Sequence, residues 1–226
     1  MNKRSKKIAG YYGKSGDYLR EHGEFFRSAN IGKDIDFIIK ALRIKKTDRV
    51  LDIACGQGRH ANVLARKGYA VDGVDFSSHL LKIAEETAMD NQKFYLMNIE
   101  KLKLASKYDC AYWFFSDLAN IDIQTTIKAI SGNLKAGGKV LLDTDNIFRL
   151  VSRLQKNIDK NIIFDAENLF LIENISKVKV RYPVVPMWKQ WLQEAGLEID
   201  RILGGYQFEK YSLESQRLIL IVKKPT

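Results

Sequence analysis

The chain has 226 residues, 46% of them hydrophobic and 28% charged, a composition ordinary for a globular protein and a length that suits one large domain. No apolar run reaches the roughly 18 residues that would suggest a membrane-spanning helix, and the basic start "MNKRSKK" is followed by no apolar segment of the kind a secretory signal needs, so a cytoplasmic protein is expected. The net charge is +10, but lysines interleaved with acids read as a solvated surface, which disfavours a nucleic-acid partner; two separated cysteines and three scattered histidines predict no metal site.

Residues 5–43 read as helical, with Ile35, Phe37, Ile38, Ala41 and Leu42 at helical spacing. "RVLDIA" is a short apolar run, as in a strand buried on both faces. "GRHANVLARKG" follows as a helix stopped by Gly68, then "YAVDGVD" as a strand. "SSHLLKIAEETAMD" is a serine-capped helix carrying Leu80, Leu81, Ile83 and Ala84 inward. "KFYLMNI" and "YDCAYWFF" are the third and fourth strands, "IDIQTTIKAISGNL" a helix, and "GGKVLLDT" a fifth strand. Strands alternating with helices over residues 49–145 imply a parallel sheet covered on both faces.

The pattern then changes. "NIIFDAENLFLIENISKVKVRYP" alternates with period two, with turn signals at residues 165–168 and 174–176. "MWKQWLQEAG" is a helix with a glycine stop. "LEIDRILGG" and "SQRLILIVKK" are two strands joined too tightly for a helical crossover, hence antiparallel. The expected organisation is one domain over residues 1–226. It comprises an N-terminal helical lid (1–43), a cofactor-binding core (45–145), an antiparallel insert (150–185) and a C-terminal helix with a strand pair (186–226).

The chemistry concentrates in "VLDIACGQGRHANVLARKGYAVDGVDFS", residues 50–77. Gly56 and Gly58 lie between a buried strand and a helix start, where a ligand can approach the backbone closely. Asp75 ends the next strand, placed to accept both hydroxyls of a ribose. Asp52 inside the first strand would face a cationic ligand or orient the glycine loop, and it argues against NAD, whose pyrophosphate it would repel.

This stretch resembles motifs I and II of class I S-adenosylmethionine-dependent methyltransferases, and is similar to the small bacterial group with "D-x-x-C-G-x-G-R-H" in motif I. "FYLMNIEKL", "YDCAYWFFSDLANI", "LKAGGKVLLDT", "WLQEAGLEI" and "SQRLILIVKK" extend the likeness. The resemblance implies a Rossmann-like α/β fold: a seven-stranded sheet of order 3-2-1-4-5-7-6, strand 7 antiparallel. The cofactor would be S-adenosylmethionine, leaving S-adenosylhomocysteine as product. Ala54, Gly56, Gly58 and Asp52 would face its methionine end. Asp75 would hold the ribose, Phe76 would stack on adenine, Asn98 and Ile99 would bracket the adenine edge, and Phe114 would lie near the sulfonium. Tyr12 and Arg20, eight positions apart, match a lid pair that contacts the methionine carboxylate. The usual third-strand acid is Asn98 here, and the usual Pro of the Gly-Gly turn is Ala136.

Methyl transfer from a sulfonium needs alignment more than a nucleophile or metal. Tyr11, Tyr12, His79 and Asp117 are the candidates for removing an acceptor proton. Cys55 fills a small-residue slot rather than acting as a nucleophile, and His60, Trp188 and Trp191 read first as packing residues. The absence of an Asn/Asp-Pro-Pro-aromatic motif after the fourth strand points to the O or N atom of a small molecule, in a monomer or homodimer. RNA or protein methylation is the alternative; a non-catalytic cofactor-binding partner or regulator is the alternative of another class.

Overall fold

The computed structural model describes residues 10–21, 28–115, 118, 121–155, 162–173 and 179–226. A short helix α1 (Tyr18–Glu21) precedes α2 (Ser28–Leu42). The core alternates β1 (Arg49–Ile53), α3 (Arg59–Arg66), β2 (Ala70–Asp75), α4 (Ser78–Glu86), β3 (Phe94–Leu96), β4 (Tyr108–Trp113), α5 (Ile123–Asn133) and β5 (Leu134–Asp145). Then come α6 (Ile147–Gln155), β6 (Ile162–Asp165), β7 (Phe170–Glu173), β8 (Lys179–Arg181), α7 (Val185–Glu194), β9 (Glu198–Leu203) and β10 (Arg217–Lys223).

The main sheet has the order β3-β2-β1-β4-β5-β10-β9. The first five strands are parallel, and β10 runs antiparallel to both β5 and β9. This is the sheet expected from the sequence, with β10 in the place of strand 7. The second sheet, β6-β7-β8, is antiparallel throughout, as its period-two pattern predicts.

Both faces of the main sheet are buried, which explains why its strands read as continuous apolar runs. Leu51, Ile53, Trp113, Val140, Leu220 and Val222 face α5 and α7, where Ile127, Ile130, Trp188 and Trp191 pack. Their neighbours Val50, Tyr112, Leu141, Ile219 and Ile221 face Ile35, Ile38 and Leu42 of α2 and Leu64 of α3. Trp188 and Trp191 are therefore core residues, 1% and 8% exposed.

Two local features differ from expectation. Residues 147–155 form a helix, because Ile147, Leu150, Val151 and Leu154 recur at helical spacing and the Asn146 side chain accepts from the Phe148 amide at 3.2 Å. The fifth strand begins at Leu134 and runs through the Gly-Gly pair. Gly137, at φ 73°, bends it in place, and the register against β4 shifts between Tyr108 and Cys110.

Candidate active site

The C-terminal ends of β1, β2 and β4 converge on one place, where open parallel sheets bind ligands. After Ile53 the chain turns into α3 through three left-handed residues: Ala54 at φ 55°, Gly56 at 56° and Gly58 at 71°. The two glycines do different work. A Cβ on Gly56 would meet nothing nearer than Leu80 Cδ1 at 3.8 Å, so that side of the loop is open. A Cβ on Gly58 would stand 2.8 Å from Ala84 Cβ, so Gly58 serves the close packing of α3 on α4. Ala54, with its Cβ, holds a left-handed conformation that costs roughly 1–3 kcal/mol.

Asp75 ties this loop to β2. Its Oδ2 accepts from the Gly56 amide at 2.9 Å and its Oδ1 from the Ser77 amide at 2.8 Å. Burial raises its pKa and the two amide bonds oppose that rise. Each carboxylate oxygen retains acceptor capacity after one such bond. Ser77 caps α4 by accepting from the Leu80 amide, and its hydroxyl donates to the Tyr12 carbonyl at 2.8 Å.

Beside the loop lies a cavity of about 60 Å³, lined by Asp52, Ala54, Cys55, Gly56, Gln57, Arg59, His60, Phe114, Phe115 and Tyr18. Asp52 is 3% exposed, and its Oδ2 has no hydrogen-bond partner among the described residues. Burial pushes its pKa up to about 8; Tyr112 and the Arg59 charge pull it down, yet neither closes a well-formed bond on Oδ2. Cys55 is buried, and burial with the nearby acids drives its thiol well above the usual range, so it is no thiolate nucleophile.

The opposite wall is aromatic. His60 Nε2 lies 3.1 Å from Asp34 Oδ2, its pKa lowered by burial, and its ring meets Phe114 edge-on at 5.3 Å. Phe115 is held left-handed at φ 53°, with its amide donating to Asp143 Oδ2 at 2.9 Å. Asp143, wholly buried, also accepts from Tyr206 at 3.1 Å and from Arg217 Nε at 2.8 Å. The guanidinium carbons of Arg59 and Arg217 each lie 5.3 Å from the centre of the Phe115 ring.

Of the residues singled out in the sequence, Asp52, Ala54, Gly56 and Phe114 come together around the cavity, and Asp75 stands against the loop beneath it. Tyr12 packs its ring on Tyr11 at 5.0 Å, on Tyr18 at 4.8 Å and on Phe76 at 5.3 Å, placing the N-terminal segment over the Asp75 end. Arg20 is not brought into the cavity lining: its side chain is 76% exposed and pairs with Asp17 at 2.8 Å. Asn98 Oδ1 accepts from the Glu100 amide at 2.8 Å, capping a 3-10 turn over Ile99–Lys101, and Ile99 is buried. His79 sits half-buried on α4 outside the cavity lining, and Asp117 lies outside the described residues.

Sequence reasoning missed the cavity roles of Arg59, of His60 with Asp34, and of the Asp143–Arg217–Tyr206 group. One signal was available: Asp143 interrupts the apolar run "LLDTD" as Asp52 interrupts "VLDIA". The partners Asp34, Tyr206 and Arg217 come from distant segments and carry no local signal. Among the described residues no group of histidine, cysteine or acidic side chains is placed to hold a metal ion, and no helix is long and apolar enough to cross a membrane.

Residues 50–138 match the family described as a methyltransferase domain. A chain from Geobacillus sp. (strain WCH70) that bears a methyltransferase name is 26% identical over 217 residues, covering 78% of this chain and 84% of that one. The CcbJ methyltransferase of Streptomyces caelestis superposes with a TM-score of 0.73 at 16% identity, over 96% of this chain and 99% of that one. An S-adenosylmethionine-dependent methyltransferase from Clostridium acetobutylicum ATCC 824 gives 0.71 at 18% identity, over 92% and 99%. The fold is the Rossmann-like fold of S-adenosylmethionine-dependent methyltransferases.

Proposed function

We propose that this chain transfers the methyl group of S-adenosylmethionine by direct displacement to an O or N atom of a small molecule. The observation that carries the cofactor reading is Asp52 Oδ2, a buried acceptor with no hydrogen-bond partner among the described residues, on a cavity that also meets the open side of Gly56. A cationic amino-acid end suits such a group, and a pyrophosphate does not. Asp75, with acceptor capacity left on both oxygens, would take the ribose hydroxyls. Phe76, 41% exposed beside it, would offer a face to adenine, with Asn98 and Ile99 at the adenine edge and Phe114 toward the sulfonium.

When bound, the cofactor supplies a methyl group on a sulfonium, already activated for displacement. The chain's own residues then align and enclose. Phe114 and Phe115 form a rigid apolar wall, and Tyr11, Tyr12 and Tyr18 cover the site from the N-terminal side, keeping water out. An O–H or N–H acceptor also loses a proton, for which Tyr11, Tyr12, His79 and Asp117 remain the candidates, to which the cavity wall adds His60. The absence of an Asn/Asp-Pro-Pro-aromatic motif after β4 supports a small acceptor.

Cell extract fractionated into metabolites, RNA and protein, then incubated with the purified chain and methyl-labelled S-adenosylmethionine, tests this. Label in the metabolite fraction is expected. Label in RNA or polypeptide would move the acceptor to a macromolecule, the reading the +10 charge favours. Cofactor binding with label in no fraction would favour a non-catalytic partner or regulator.

A further inference from the structure

An acid and a base both line the cavity. Asp52 comes from the end of β1, and Arg59 opens α3 on the far side of the glycine loop, seven positions later; both line the same space of about 60 Å³. They also feel each other, since the Arg59 charge lowers the pKa of the Asp52 carboxyl. The Arg59 guanidinium lies against the Phe115 ring, and Phe115 is itself fixed by its bond to the buried Asp143, so the cation has a defined seat. An acid and a base lining one small cavity form a complementary pair for a zwitterion, the ammonium toward the acid and the carboxylate toward the guanidinium. The arginine expected from the sequence to take that carboxylate, Arg20, instead pairs with Asp17 at the surface.

We infer that Arg59, and not Arg20, recognises the α-carboxylate of the cofactor's amino-acid end, making it the residue that distinguishes S-adenosylhomocysteine from nucleosides lacking an amino acid. The inference rests on the cofactor reading above. Asp52 and Arg59 then read the two charges of one α-amino acid. The site would bind 5′-methylthioadenosine more weakly, through ribose and adenine alone, since it carries neither charge.

Calorimetric titration of the full chain with S-adenosylhomocysteine and with 5′-methylthioadenosine separates the claims. Wild type should bind the first more tightly. Arg59→Gln should weaken S-adenosylhomocysteine at least tenfold and leave 5′-methylthioadenosine within twofold, the second ligand serving as the control for an intact fold. Arg59→Lys should recover part of the loss, because an ammonium retains charge but not the planar fork. Arg20→Gln should change neither ligand. Unchanged S-adenosylhomocysteine affinity in Arg59→Gln, an equal loss of both ligands, or a selective loss in Arg20→Gln instead would each overturn the assignment. If wild type binds neither ligand, the cofactor reading itself fails, an outcome distinct from all three.

Discussion

Replacing Asp52 with asparagine should make the free protein more stable and the cofactor complex weaker. The carboxyl is buried, its Oδ2 has no hydrogen-bond partner among the described residues, and burial raises its pKa from 3.8 to about 8. A carboxyl raised in this way binds a proton more tightly in the folded state than in the unfolded chain. Its contribution to stability is therefore most favourable below pH 3.8 and declines as pH climbs through the window up to about 8. At pH 7 about three pKa units of that window have been crossed, at ~1.4 kcal/mol each, an upper bound of ~4 kcal/mol. An amide of the same shape stays neutral throughout, so Asp52→Asn should gain ~2–4 kcal/mol at pH 7 and little near pH 4. Urea denaturation of both proteins at pH 5, 6, 7 and 8 reads this directly: the gap between midpoints should widen with pH. The same variant loses the ammonium's partner, and S-adenosylhomocysteine affinity should fall at least tenfold. In wild type at pH 7, taking up an ammonium should ionise Asp52 and release most of one proton, seen as binding heats that change with buffer ionisation enthalpy. A midpoint gap that does not vary with pH, together with buffer-independent heats, would refute the reasoning.

Asp75→Ala should lower S-adenosylhomocysteine affinity at least tenfold by calorimetry, since it removes the proposed ribose acceptor and the Gly56 amide bond that holds the glycine loop to β2. Gly58→Ala, with φ 71° and a Cβ 2.8 Å from Ala84, should cost ~2–4 kcal/mol in urea denaturation, whereas Gly56→Ala should cost less because its Cβ meets only Leu80 at 3.8 Å. Amides of residues 10–21 should exchange quickly in the free protein and become protected when S-adenosylhomocysteine binds, measured by hydrogen exchange; equal rates in both states would reduce the segment to packing.

How much of this was legible in the sequence depends on whether the governing interactions are local. The five parallel strands and their helices announced themselves because burial on both faces leaves long apolar runs, and caps such as Ser77 lie next to the helices they start. The antiparallel β9–β10 pair followed from the short connection between them. The glycine loop and its acids could be placed because Asp52, Gly56 and Asp75 sit at strand ends whose positions the pattern set. The distinct task of Gly58 could not, because it depends on Ala84 and Phe94 arriving from α4 and β3. Arg59 showed in the sequence only as the start of a helix, since its value lies in Asp52 of β1 and Phe115 just beyond β4. The Asp143–Arg217 pair spans 74 residues, and no local signal links its members. The helix over Ile147–Gln155 was missed although its spacing was present, because the period-two pattern that follows it drew the expected insert back to residue 150.

Equilibrium titration of the purified chain with S-adenosylmethionine, S-adenosylhomocysteine and NAD tests the central claim most directly. Saturable one-to-one binding of the first two and no heat with NAD are expected. Tight NAD binding with no response to S-adenosylhomocysteine would contradict it.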